Sequence, residues 1–233
     1  MDYHKPVLFD EVIENIVTNK EGVYLDCTLG GAGHTQGILE NTSEKGVVIA
    51  IDQDDDAINE NSEPGEGFTH LLCKKWEALA MAADNRHTRV CILRTGIVLS
   101  KDGGMLPKLV LPFKLGLGAV IASGSQYISW IHIQDMVNGI LFLIDTPEAR
   151  GAFNFTSPNP ITNRRFAKVL SRTLFRPCLF KIPSFVIKMM MGESATLLID
   201  GQRAIPQHLL DKHYRFAFEH IDEALAHILV KKI

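Results

Sequence analysis

The sequence predicts an α/β fold: a shortened, doubly wound parallel sheet with a small α+β module behind it. Three observations carry this. Residues 23–52 run from an apolar stretch through a glycine cluster and a helix-like segment into a second apolar stretch, a strand–turn–helix–strand unit. From residue 68 to 176, runs with strand character alternate with runs at helical spacing. Beyond Pro177 the apolar segments become short and separate.

In chain order, "PVLFDEVIENIV" (6–17) sets Val7, Leu8, Val12, Ile13, Ile16 and Val17 roughly on one helical face. "GVYLDCTL" reads as a strand, His34 to Glu40 as the start of a helix, and "KGVVIAID" as a strand ending at Asp52. The stretch 52–67 is dense in Asp, Glu, Asn, Gly and Pro and reads as a loop. "FTHLLCKKWEALAMAA" is helical, "RVCILRTGIVLS" a strong strand, and "KLVLPFKLGLGAVIASGSQYISWIHI" a glycine-rich excursion into another strand. "DMVNGILFLID" is a helix that Asp135 would N-cap, "GAFNFTS" a strand, and "TNRRFAKVLSRTLF" a helix capped by Thr162. The Met189–Met191 run reads as core filler.

The chain has 233 residues, a net charge of −3, 46% hydrophobic and 22% charged residues. Those are ordinary values for a globular protein and supply no basic nucleic-acid surface. Cys27, Cys73, Cys91 and Cys178 lie far apart without metal-ligand spacing, and Cys27 and Cys91 sit in apolar runs as expected of buried thiols. No apolar run is long enough to span a bilayer. A small-molecule ligand, no membrane partner, no metal and a cytoplasmic location are expected; the oligomeric state stays open.

The glycine turn is the candidate cofactor site. Asp26 ends the first strand, Gly30, Gly31, Ala32 and Gly33 let a ligand approach the backbone, and the next helix offers free N–H groups. Asp52 ends the following strand, placed to accept hydrogen bonds from ribose hydroxyls. A plain tight turn is the alternative reading.

"YHKPVLFDEVIENI", "GVYLDCTLGGAGHTQGIL" and "GVVIAIDQDDDAI", spanning residues 3–58, resemble the start of the methyltransferase H family. Those enzymes methylate a cytosine N4 of small-subunit ribosomal RNA with S-adenosylmethionine. The resemblance implies that cofactor, with Ala32, Gly33 and His34 at its methionine end and Asp52 at the ribose. It stops there, and the family's catalytic region is absent from the rest of the chain.

Residues 63–230 resemble a different group. "EPGEGFTHLLCKKWEALA", "TRVCILRTGIVLSKDGG" and "GAFNFTSPNPITNRRFAKVLSRTLFRP" look like the later part of the atypical epimerase family, in the extended short-chain dehydrogenase/reductase group. "MGESATLLIDGQRAIPQHLLDKHYRFAFEHIDEALAHIL" resembles that family's C-terminal module. The implied fold is Rossmann-like. The implied organisation is a methyltransferase-like front (1–58), a junction loop (59–67), an epimerase-like second half (68–176) and the module (177–233). The family's catalytic Tyr and Lys positions hold Thr69 and Cys73. Its G-G-T-G-x-x-G start is missing, so NAD(P) is not expected. The candidate substrate-cleft residues are Arg94, Thr95, Trp130, His132, Asn154 and Arg203. Arg94 is expected to pair with Asp135 or a backbone carbonyl, and His132 to be a satisfied core histidine.

The functional expectation is an epimerase-family protein with its nucleotide-binding front replaced by an S-adenosylmethionine-binding half, and with neither parental activity. An rRNA (cytosine-N4) methyltransferase-like protein and a non-catalytic recombined or engineered chimera are the alternatives. In such a splice, "RVCILR" must pair directly with "VYLDCTL" or leave a gap in the sheet, weakening the fold.

Overall fold

The computed structural model describes residues 23–26, 41, 47–52, 60, 68–191 and 201–230. Its strands are β1 (Val23–Asp26), β2 (Val47–Asp52), β3 (Arg89–Thr95), β4 (Ile97–Leu99), β5 (Gly118–Ile121), β6 (Tyr127–Ile128), β7 (Trp130–His132), β8 (Gly151–Phe155), β9 (Ile161–Thr162) and β10 (Cys178–Ile182). Its helices are α1 (Phe68–Met81), α2 (Met105–Lys114), α3 (Ile133–Asp145), α4 (Asn163–Thr173), α5 (Ser184–Met191), α6 (Gln207–Asp211) and α7 (Ile221–Leu229). The expected helices over 6–17 and 34–40 lie outside the described residues.

The largest sheet has the order β1-β2-β3-β8. β1 and β2 run parallel with Val23 level with Val47, and β2 and β3 run parallel from Val47↔Arg89 to Asp52↔Arg94. This corrects the expected gap. β2, not β1, lies beside β3, so the second strand of the front supplies the missing neighbour and every level of β3 from Arg89 to Arg94 is paired. Val90, Cys91, Ile92 and Leu93 are consecutively buried, as befits a strand covered on both faces.

The chain divides into two compact units, one formed by Met1–Asp56, Glu63–Thr95 and Ile140–Phe153, the other by Ala57–Ser62, Gly96–Gly139 and Asn154–Ile233. In the first, a small cluster of Ala80, Val90 and Ile92 is buried. Arg89 donates to the carbonyls of Leu143, Ile144, Thr146 and Ala149 at 2.6–3.2 Å. It thereby satisfies the orphan acceptors at the end of α3. Cys91 is buried and its thiol donates to the Ala149 carbonyl at 3.2 Å. Burial pushes that thiol's pKa up, against the lowering effect of Arg89.

The second unit has its own core among the described residues. Leu99, Leu106, Trp130, Phe166, Leu170 and Leu225 are among its buried members. The run "RVCILRTGIVLS" is not one strand. It breaks at Gly96, where a Cβ would come within 2.7 Å of the Ser129 carbonyl oxygen and 2.8 Å of Thr156 Cγ2, and β4 then pairs with β7 in a separate sheet. The glycine-rich excursion also departs from expectation, since it opens with α2, a ten-residue helix. Pro107 lies in the first turn, where its missing N–H costs nothing, and Pro112 falls near the end, where one lost bond is tolerated. Thr162 caps α4, its hydroxyl accepting from the Arg165 N–H. Met189 is 80% exposed, so it is not core filler: α5 carries it outward.

Candidate functional site

Within the first unit the chemistry-bearing residues fall on one edge, the carboxyl ends of β1, β2 and β3. Asp26 is level with Ala50, and Asp52 is level with Arg94, with Thr95 one residue further along β3. In parallel α/β sheets ligands bind outside this end of the strands. Gly30, Ala32, Gly33 and His34 follow β1 in sequence and lie outside the described residues.

Arg94 departs from expectation. Its Nε and Nη2 donate to Glu77 Oε1 and Oε2 at 2.7 and 2.8 Å, a bidentate pair with about a sixth of each side chain exposed (17% and 18%). Glu77, one turn beyond Cys73 on α1, takes the role foreseen for Asp135, 17 residues before Arg94 in the chain. The guanidinium is thus neutralised by protein. Thr95 is different: its Oγ1 is buried and has no hydrogen-bond partner. A buried hydroxyl left unpaired costs about 1–3 kcal/mol, so this oxygen is a natural acceptor or donor for a ligand. Of the two α1 residues at the family's Tyr and Lys positions, Cys73 is buried, and the Thr69 side chain is outside the described set.

In the second unit the candidate residues do not converge. Trp130 is fully buried and its Nε1 donates to the Asn159 carbonyl at 3.3 Å. His132 is 2% exposed. Its ring stacks on Phe218 with centroids 3.9 Å apart, its Nε2 lies 3.1 Å from His227 Nδ1, and its Nδ1 accepts from the Gln134 N–H. Burial, with the neighbouring His227, lowers its pKa to about 4, so the ring is neutral at ordinary pH. Asp135 is no N-cap. Its carboxylate is buried inside the first turn of α3 and accepts from the Ala217 and Phe218 N–H groups at 2.7 and 2.9 Å. Burial raises its pKa despite those two bonds.

Asn154 and Arg203 meet the same passing segment. Asn154 Nδ2 donates to the Ile205 carbonyl, Thr156 Oγ1 to that of Ala204, and Ser129 Oγ to that of Gln202. The Arg203 guanidinium lies 5.8 Å from the Tyr127 ring centroid, within cation–π range. Gly201 is required here, since a Cβ would come within 2.0 Å of the Tyr127 carbonyl oxygen. Sequence reasoning missed Glu60. Its Oε1 accepts from the N–H groups of Asn154 (2.8 Å) and His208 (3.4 Å), and its Oε2 is buried without a partner. A lone Glu in an acidic loop gives no signal of that role. Among the described residues no group of three or more His, Cys, Asp or Glu could hold a metal, and no helix is long and apolar enough to cross a membrane.

Comparison with known proteins places these features in context. Residues 1–91 match the MraW methylase family, residues 50–155 the NAD dependent epimerase/dehydratase family, and residues 182–228 a domain of unknown function, DUF1731. The chain is 34% identical over 188 residues to the chloroplastic epimerase family protein SDR39U1 homolog of Arabidopsis thaliana, covering 81% of this chain and 51% of that protein. The chain thus spans about half the length of the curated relatives it matches. Human epimerase family protein SDR39U1, solved with NADPH, superposes with a TM-score of 0.83 at 26% identity, over 94% of this chain and 85% of that one. A dTDP-glucose 4,6-dehydratase of Bacillus anthracis, solved with NAD, shares the fold at a TM-score of 0.67 and 12% identity.

These findings overturn the expectation of S-adenosylmethionine, and with it the exclusion of NAD(P). The solved proteins that this chain resembles hold NADPH and NAD. The physical reason is that both cofactor classes carry a ribose. A glycine turn after one strand and an acid at the end of the next serve either, so spacing cannot separate them. The architecture is Rossmann-like α/β, and residues 50–155 are similar to the NAD dependent epimerase/dehydratase family.

Proposed function

We propose that this chain is an epimerase-family protein that binds NAD(P) along the carboxyl edge of its parallel sheet and does not turn over a sugar substrate. The observation that carries the binding is the register that brings Asp52 level with Arg94, beside the buried, unpartnered Thr95 hydroxyl. Asp52 suits a ribose hydroxyl, Thr95 Oγ1 a polar atom of the same ligand, and the glycines at 30, 31 and 33 a close backbone approach to phosphate. Bound there, the cofactor would supply hydride chemistry. The methylase-like front stands in place of the family's own nucleotide-binding front.

The absence of turnover rests on α1. A phenol and an ammonium at the two family positions would move a proton to and from a sugar hydroxyl. Thr69 and Cys73 can do neither at neutral pH, the first for want of acidity and the second for want of a positive charge. The test is a thermal melt of the full chain with NADPH, NAD or S-adenosylmethionine, followed by Asp52→Ala. Ligand at about 100 times its Kd adds about 2.7 kcal/mol to stability. A rise in the midpoint with NADPH or NAD that Asp52→Ala removes is the expected result. A flat response to both nicotinamide cofactors sinks the binding. Loss of NADPH absorbance on adding a nucleotide sugar sinks the inactivity.

A further inference from the structure

We propose that the face formed by the end of α2, the turn after α4 and strand β10 docks on an anionic lipid surface. Six large apolar side chains stand in solvent there: Leu111 (63% exposed), Leu115 (67%), Leu117 (57%), Phe175 (86%), Leu179 (78%) and Phe180 (52%). They are gathered by two contacts. β10 runs parallel to β5 with Cys178 opposite Gly118, and Arg176 Nε donates to the Lys114 carbonyl at 3.0 Å. The last turn of α2 and the start of β10 therefore lie side by side.

Phe175 is the telling residue. It follows the α4 C-cap, Leu174, with φ +54°, the left-handed region that suits Gly or Asn and strains a bulky side chain. Its ring is almost wholly exposed, so no burial offsets the strain. The fold draws no stability from a phenylalanine here, which points to a use outside the fold.

Charge identifies the partner. Residues 103–134 and 149–192 contain no Asp or Glu, although the chain is net negative. Lys114, Arg172, Arg176 and Lys181 are all exposed, and each lies within three residues in the chain of one of the apolar side chains. Large apolar and aromatic side chains among basic ones, with no acid between, suit the boundary between acidic headgroups and acyl chains. Such a surface lies on the bilayer and needs no spanning helix.

The experiment is co-sedimentation of the full chain with phosphatidylcholine vesicles and with vesicles of about 30% phosphatidylserine, the anionic kind that basic surfaces seek. Wild type should partition onto the anionic vesicles, less so at high salt, and little onto neutral ones. Phe175→Gly should cut that partitioning about tenfold while its melting midpoint stays level or rises, because glycine relieves the backbone. Lys181→Glu should weaken it in the same direction with the fold intact. Equal partitioning onto both vesicle types, or none, overturns the proposal. So does wild-type binding that Phe175→Gly leaves unchanged. A dimer in solution that Phe175→Gly dissociates, with no vesicle binding, would make the face an interface between copies and overturn it too.

Discussion

Among the described residues of the unit built on β3, Ala80, Val90 and Ile92 form a buried cluster and arginines close the structure: Arg89 on four carbonyls, Arg94 on Glu77, Arg150 on Asp84 at 2.6 Å. The described residues of the unit built on β7 are held differently. A cluster that includes Trp130, Phe166 and Leu170 is buried there, and polar groups such as Asp135 and Ser129 fasten passing backbone beside it. The contrast shows two ways of ending strands and helices. One neutralises orphan carbonyls with a charged fork, and the other buries the ends under apolar surface and lets carboxylates and hydroxyls take up the exposed N–H groups.

The largest expected effect tests the apolar unit. Trp130→Ala should cost about 3–5 kcal/mol, read as a fall in the denaturation midpoint, because it removes a fully buried ring and leaves a cavity. A loss under about 1 kcal/mol would show that the site collapses and that the cluster is not the main support. Next, Arg89→Met keeps the length of the stem but strips the fork from four carbonyls. It should cost about 2–3 kcal/mol, close to a core substitution despite removing only polar contacts. A neutral result would end the distinction between the units.

The smallest effect is a pH dependence. His132 has a folded pKa of about 4, below its ordinary value of 6.5. The unfolded chain therefore binds the proton first. The stability is fully present above about pH 6.5 and is lost as pH falls toward 4, by at most about 3 kcal/mol. The raised pKa of Asp135 acts in the opposite sense, adding stability as it takes up its proton. Comparing wild type with His132→Gln isolates the histidine: the variant should show a flatter profile between pH 6.5 and 4. Parallel profiles would mean that the ring is not held neutral by its burial.

Much of the fold was legible locally. Thr162 stands before a helical repeat and caps it; "RVCILR" is β-branched and apolar and becomes a strand buried on both faces. Helix α2 was not legible, because Pro107 and Pro112 read as breakers until their positions in the first and last turns are known. The candidate edge was half legible. Asp26 and Asp52 announce themselves as acids at strand ends, whereas the partner of Arg94 depends on how α1 lies against β3, a contact 17 residues distant in sequence. Glu60, bonded to the backbone 94 residues away, left no local mark at all.

What the sequence determined by itself were the periodic elements, their caps and the acid-free stretches, since these follow from side-chain spacing and composition within a few turns of chain. Only the tertiary structure decided that β2 rather than β1 lies beside β3, that Glu77 takes Arg94, that Asp135 grips Ala217 and Phe218, and that Phe175 stands bare on a strained turn. Each of those depends on contacts between residues far apart in the chain, whose free energy is set by burial and geometry that no local pattern encodes.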